Sequence, residues 1–168
     1  MKEIKLTIFY KELNSENELP ASFQQLLKSA KEAINDSYAP YSNFNVGAAA
    51  LLENGIIVKG SNQENASSPA GICAEGVTLS AVSAFHPNIP IVALAVSAKA
   101  KNSELSNPVA PCGLCRQAIL EYDYRFQRNI QLILQGSSGK IIWIDDAKKL
   151  LPLYFGKDDI KASGSTNF

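Results

Sequence analysis

Three cysteines are the residues of this chain whose types and spacing could do chemistry. Cys73 opens Cys73-Ala74-Glu75, and the other two fall in Pro111-Cys112-Gly113-Leu114-Cys115. Three thiolates can hold a zinc ion and leave its fourth tetrahedral position open, and Glu75 is placed to handle protons there. A closed structural site needs four protein ligands. His86 is the sole histidine of the sequence, and it lies roughly 13 residues, about 20 Å along a helix, from Cys73. A closed site is therefore hard to assemble, and an open, catalytic zinc is the expectation. A redox cysteine pair is the rival reading, and it leaves Cys73-Ala74-Glu75 without a purpose.

The elements that must position these groups alternate between strand and helix. Both cysteine clusters fall at expected helix starts, one running from Cys73 to about Phe85 and one from Cys112 to about Arg128. Free amides and the helix dipole favour anions at such ends, which predicts lowered thiol pKa values. Cys112 and Cys115 are three apart and share one helical turn. An earlier helix from about Pro20 carries Phe23, Leu26, Leu27, Ala30 and Ile34 on one face and ends before Pro40. Val46–Leu52 and Ile56–Val58 flank Glu53-Asn54-Gly55, a hairpin turn signal. Ile91–Ala98, Ile130–Leu134 and Lys140–Ile144 read as further strands, and Asp145-Asp146 as the cap of a short helix through Leu151. Alternation in Ile4, Leu6 and Ile8 suggests an additional short strand at a sheet edge. The sum predicts an α/β fold of three layers, α/β/α, with a mixed sheet of about five strands and helices on both faces.

Bulk properties set bounds. The length of 168 residues suits one domain, read as an N-terminal extension over 1–18, a core over about 20–160 and a tail over 161–168. Lysine plus arginine and aspartate plus glutamate number 16 each, so no basic field advertises nucleic acid or membrane binding. An odd cysteine count argues against a disulfide framework, and the charged start Met1-Lys2-Glu3-Ile4-Lys5 does not resemble a signal peptide. The longest apolar stretch, Ile89–Ala100, is too short to span a bilayer. The cytoplasm is the expected compartment.

Cys-Ala-Glu followed by Pro-Cys-Gly-x-Cys-Arg-Gln resembles the homotetrameric, three-cysteine zinc cytidine deaminases. Three other segments are also similar to that family: Tyr41-Ser42-Asn43-Phe44-Asn45-Val46-Gly47-Ala48-Ala49, Gly60-Ser61-Asn62-Gln63-Glu64-Asn65-Ala66 and Leu150-Leu151-Pro152-Leu153-Tyr154-Phe155-Gly156. Taken together, the resemblance runs from about Pro20 to Ile160. The resemblance implies one Zn²⁺ per subunit on Cys73, Cys112 and Cys115, a homotetramer, a nucleoside substrate and hydrolytic deamination of cytidine and deoxycytidine in pyrimidine salvage. It implies Glu75 as proton shuttle and Phe44 packed on the nucleoside. Asn62 and Glu64 would bond the ribose hydroxyls, Ala66 and Ala74 would offer backbone groups to the base, and Phe155 would act at a pocket shared between subunits. Thr78 and Gln117 read as packing or capping residues.

Two departures from the family pattern stand out. Gly76 occupies a position where an arginine commonly offsets the negative charge of three thiolates, leaving Arg116 as the charge-compensating residue, and Gly76→Arg is expected to shift activity toward lower pH. Ser68 stands where a tyrosine often reaches the neighbouring subunit. Two alternatives remain open: a deaminase of the same fold acting on a blasticidin-type aminopyrimidine, and a non-catalytic zinc-binding interaction module. Glu64 speaks against the first and Glu75 against the second.

Overall fold

The computed structural model describes residues 1–101 and 103–161. In chain order the described elements are β1 (Lys11–Leu13), α1 (Ala21–Ala33), β2 (Phe44–Leu52), β3 (Ile57–Ser61), α2 (Ala74–Phe85), β4 (Ile91–Ala100), α3 (Gly113–Phe126), β5 (Gln131–Gln135), β6 (Ile141–Ile144) and α4 (Lys157–Lys161). The strands form one six-stranded sheet in the order β1-β6-β5-β4-β2-β3. β4 and β5 run parallel and the other neighbours antiparallel. That pairing follows from α3, the crossover that a parallel pair requires.

Period-two alternation in the central strands divides the core into two layers. Ala48, Ala50, Leu94, Val96, Leu132 and Leu134 face one side, where they bury Ala74, Leu79 and Val82 of α2 and Ile119 of α3. Ala49, Leu51, Ala93, Ala95 and Ile133 face the other, against Phe23, Leu26, Leu27 and Ala30 of α1. Small residues let α1 sit directly on the sheet. A Cβ on Gly47 would stand 2.1 Å from the Ala30 carbonyl oxygen, so only glycine fits there. Leu26 and Leu27 are fully buried, and truncating either to alanine should cost about 2–5 kcal/mol.

The sheet has six strands rather than about five, and the additional one is displaced from its expected place. Residues 1–10 carry no regular secondary structure, and the edge strand forms at Lys11–Leu13, with Lys11 opposite Trp143 and Leu13 opposite Ile141. The cause is the partner. β6 is four residues long, and beyond it the chain turns at Asp145-Asp146, so no ladder is offered to Ile4, Leu6 and Ile8. Asp146 does cap a short 3₁₀ turn over Ala147–Leu150, its Oδ1 accepting from the Lys148 amide at 3.0 Å. Among the described residues, no helix is long and apolar enough to cross a membrane.

Candidate active site

α2 and α3 both begin at a cysteine. Cys73 is the N-cap residue of α2 and Cys112 that of α3, both in extended conformation and neither capped by its own side chain. The sheet brings these two ends together, so that the sulfur atoms of Cys73, Cys112 and Cys115 lie within 4.8 Å of one another. Cys112 and Cys115 are 3.6 Å apart. Tetrahedral zinc with Zn–S bonds of about 2.3 Å places its sulfurs about 3.8 Å apart, so the set fits the ion.

α2 is held in place by a close approach of β3. A Cβ on Gly60 would stand 2.5 Å from Thr78 Oγ1 and 3.1 Å from the Ala74 carbonyl oxygen. The Thr78 hydroxyl donates to the Ala74 carbonyl at 2.9 Å and to Ala48 of β2 at 3.4 Å, pinning the first turn of α2 to the sheet. That turn carries Glu75, which is 5% exposed.

Glu75, Cys73, Ala74 and Cys112 line a cavity of ≈ 440 Å³ together with Phe44, Val46, Asn62 and Glu64. Burial raises the Glu75 carboxyl above its ordinary range. It also raises Cys73 and Cys115, with the Glu75 charge adding to the effect. Cys112 alone of the three is lowered, chiefly because the Cys115 amide at the start of α3 hydrogen-bonds its sulfur. The expected lowering by helix ends thus holds at Cys112, while at Cys73 and Cys115 desolvation outweighs it. A bound divalent cation reverses that balance for every ligand.

Residues 21–128 match the family described as the cytidine and deoxycytidylate deaminase zinc-binding region. The chain belongs to this family. It is 35% identical over 137 residues to a cytidine deaminase of Sporosarcina psychrophila, covering 82% of this chain and 93% of the relative. A cytidine deaminase of Halalkalibacterium halodurans is 43% identical over 99 residues, covering 58% of this chain and 70% of the relative. Among solved structures, the cytidine deaminase from Burkholderia pseudomallei superposes with a TM-score of 0.68 at 35% identity, covering 78% of this chain and 97% of that one. The Mycobacterium tuberculosis cytidine deaminase gives a TM-score of 0.63 at 30% identity, covering 82% and 99%.

Within this deaminase-family chain, the remaining expected site residues divide. Glu64 Oε2 accepts from the Tyr41 amide at 2.8 Å and the Ser42 amide at 3.3 Å. Hydrogen bonds from the Ser42 hydroxyl first, then from those amides, hold its carboxyl below the ordinary range. Asn62 spends its amide on β2, accepting from the Val46 amide at 2.8 Å and donating to the Phe44 carbonyl at 2.9 Å, with one N–H and a lone pair left for a ligand. Ala66 and Ser68 line a neighbouring cavity of ≈ 260 Å³, which shares Glu64 with the first. Phe155 is 63% exposed and lies outside the large cavity. Its carbonyl accepts from the Gln117 side chain at 3.0 Å. Arg116 is also outside the lining. Its Nε donates to the Pro111 carbonyl and its Nη1 to the Leu150 carbonyl, each at 2.8 Å. A Cβ at Gly76 would meet Ile72 Cγ2 at 3.1 Å, a tight contact that needs a small shift of the Ile72 side chain.

Ser42 also lines the cavity, and Val96, Val109 and Ala110, which were not expected there, complete its wall. A signal for the last two exists. Val109-Ala110 is an apolar pair directly before Pro111-Cys112 that ends the polar stretch from Lys101 to Pro108.

Proposed function

We propose that this chain catalyses the zinc-dependent hydrolytic deamination of cytidine and deoxycytidine to uridine and deoxyuridine, releasing ammonia. One observation carries the reading: three thiols converge beside the buried Glu75, and two of them, Cys73 and Cys112, line a cavity that also presents Asn62 and Glu64. Cys73, Cys112 and Cys115 would hold one Zn²⁺ per subunit, which when bound supplies a Lewis acid and makes a water acidic enough to deliver hydroxide near neutral pH. Glu75 takes the water's proton on its carboxylate and passes it to ring N3. With the hydroxyl added to the amino-bearing ring carbon, Glu75 carries that hydroxyl's proton to the amino group, so that a carbonyl replaces the C–N bond and ammonia rather than amide leaves. Phe44 stacks on the nucleoside, and Ala74 and Ala66 offer backbone groups to the base. Glu64, its carboxylate pre-set by Tyr41 and Ser42, accepts from a ribose hydroxyl, and Asn62 offers its remaining N–H.

The core over about 20–160 acts as one catalytic domain, working in the cytoplasm in pyrimidine salvage. A homotetramer is the assembly we infer. Ile72 and Leu114, beside the metal ligands, are 52% and 78% exposed, and Phe155 is free to reach a neighbouring copy. Light scattering of the zinc-loaded protein tests the assembly. Turnover of cytidine followed by absorbance, with zinc content measured in the same sample, tests the activity. Wild type is expected to turn over and Glu75→Gln to keep its zinc without doing so. A fully zinc-loaded wild type with no turnover refutes the enzyme reading.

A further inference from the structure

The residues before α1 lie outside the stretch matched to the deaminase family, and they are unusually apolar for exposed chain. Ile4, Leu6, Ile8, Phe9 and Tyr10 are 75%, 59%, 42%, 73% and 56% exposed. The segment does not wander freely over the surface. Phe9 and Tyr10 share a small cavity with Trp143 and Asp145. Leu6, Thr7 and Ile8 share another with Lys148, Lys149 and Pro152. The arm therefore continues the line of β1 along the chain that follows β6. Among the described residues β1 is the terminal strand of the sheet, so its outer edge has no strand neighbour there.

We propose that this arm, residues 2–12, pairs antiparallel with the same arm of a second copy, about a twofold axis at Thr7. The sequence is self-complementary in that register. On one face Leu6 stands opposite Ile8, Ile4 opposite Tyr10 and Lys2 opposite Glu12. On the other, Glu3 meets Lys11 and Lys5 meets the ring of Phe9. Opposite charges close both ends, and an apolar strip fills the middle, which is the arrangement that stabilises cross-strand pairs. Neighbouring registers lack it. An axis at Ile8 sets Lys5 against Lys11, and an axis at Leu6 leaves Glu3 facing Phe9 and Lys2 facing Tyr10. Lys2 would join the existing Glu12–Lys140 ion pair, and Lys11 keeps its place 4.1 Å over the Trp143 ring. An isologous contact of this kind closes on itself within the homotetramer inferred above when its axis coincides with one of the tetramer's twofolds.

The test places single cysteines in the zinc-loaded full chain and follows disulfide-linked dimer on non-reducing gels in air, with wild type as the control for the native thiols. Thr7→Cys brings two sulfurs together at the axis, where paired Cα atoms lie about 5 Å apart. Glu3→Cys faces Lys11, and its own copy lies eight positions away, about 27 Å. Thr7→Cys is expected to cross-link roughly ten-fold faster than Glu3→Cys, because pairing raises the local thiol concentration only at the axis. Adding Leu6→Lys, which puts a charge on the apolar strip, should remove that advantage while cytidine turnover is retained as proof of folding. Equal rates for the two single variants, or a Thr7→Cys rate no faster than wild type, would overturn the pairing. So would a fast rate that survives Leu6→Lys.

Discussion

Gly60 and Thr78 are in direct contact. A Cβ on Gly60 would stand 2.5 Å from Thr78 Oγ1, where β3 crosses the first turn of α2. The missing side chain lets the turn bearing Cys73 and Glu75 lie flat on the sheet, while the Thr78 hydroxyl bonds Ala74 and Ala48. Gly60→Ala forces β3 and α2 apart and should cost about 1–3 kcal/mol, as overpacking of a filled core does. The urea midpoint reads the stability. A fall in kcat greater than the rise in KM would show that the displaced turn carries Glu75.

Glu64 is predicted to lose binding and acid-sensitive stability together. Its carboxyl is held below its ordinary value by the Ser42 hydroxyl and the Tyr41 and Ser42 amides. A carboxyl lowered on folding contributes stability above its unfolded pKa and loses it as pH falls through the folded one. The difference in urea midpoint between wild type and Glu64→Gln should therefore be full at pH 7 and fade below about pH 4.3. At pH 7 the variant should also raise KM for cytidine more than it lowers kcat. A midpoint difference that persists unchanged in acid would assign the Glu64 contacts to packing alone.

What the sequence reveals here, and what it hides, follows from the range of the forces involved. The clustering of Cys73, Cys112 and Cys115 is legible because three thiols at two helix starts make a metal-ligand pattern, and the hydrophobic periods that place those helices are local. Asn62 is legible only as a polar residue after a strand. Its capture of both Phe44 and Val46 depends on the β2–β3 register, which no local pattern sets. Arg116 likewise reads as a charge beside a cysteine, because its partner Leu150 is 34 positions away in the chain. The edge strand is misplaced for the same reason. Alternation marks Ile4–Ile8, but a strand needs a partner, and β6 ends too soon to provide one.

Removing zinc should destabilise the protein as well as silence it. Three sulfurs within 4.8 Å, beside a buried carboxylate, are satisfied together by a divalent cation and poorly by one another. A strong chelator is expected to abolish turnover and lower the calorimetric melting temperature, with both restored by added zinc. Cys115 is 3% exposed, so Cys115→Ala should lose zinc without opening the site to solvent. Its melting temperature is expected to match that of the chelated wild type and not to respond to zinc.

Arg116 separates two explanations that its position alone leaves joined. It follows Cys115, and charge compensation requires only a cation there. Its guanidinium instead spans two carbonyls, Pro111 immediately before Cys112 and Leu150 at the end of the 3₁₀ turn, each at 2.8 Å. It thereby ties the turn that carries Cys112 to the C-terminal part of the chain. Lysine keeps the charge but has a single nitrogen and cannot reproduce that fork. Partners that orient metal ligands typically contribute about ten-fold or more to metal affinity. Both Arg116→Lys and Arg116→Gln should therefore weaken zinc binding by about ten-fold in a chelator competition, with matched far-ultraviolet circular dichroism as the control for folding. A cobalt-substituted Arg116→Lys should show shifted visible bands, because the ligand geometry and not the net charge has changed. Zinc affinity and cobalt spectra equal to wild type in Arg116→Lys, with loss confined to Arg116→Gln, would return the residue to a purely electrostatic role.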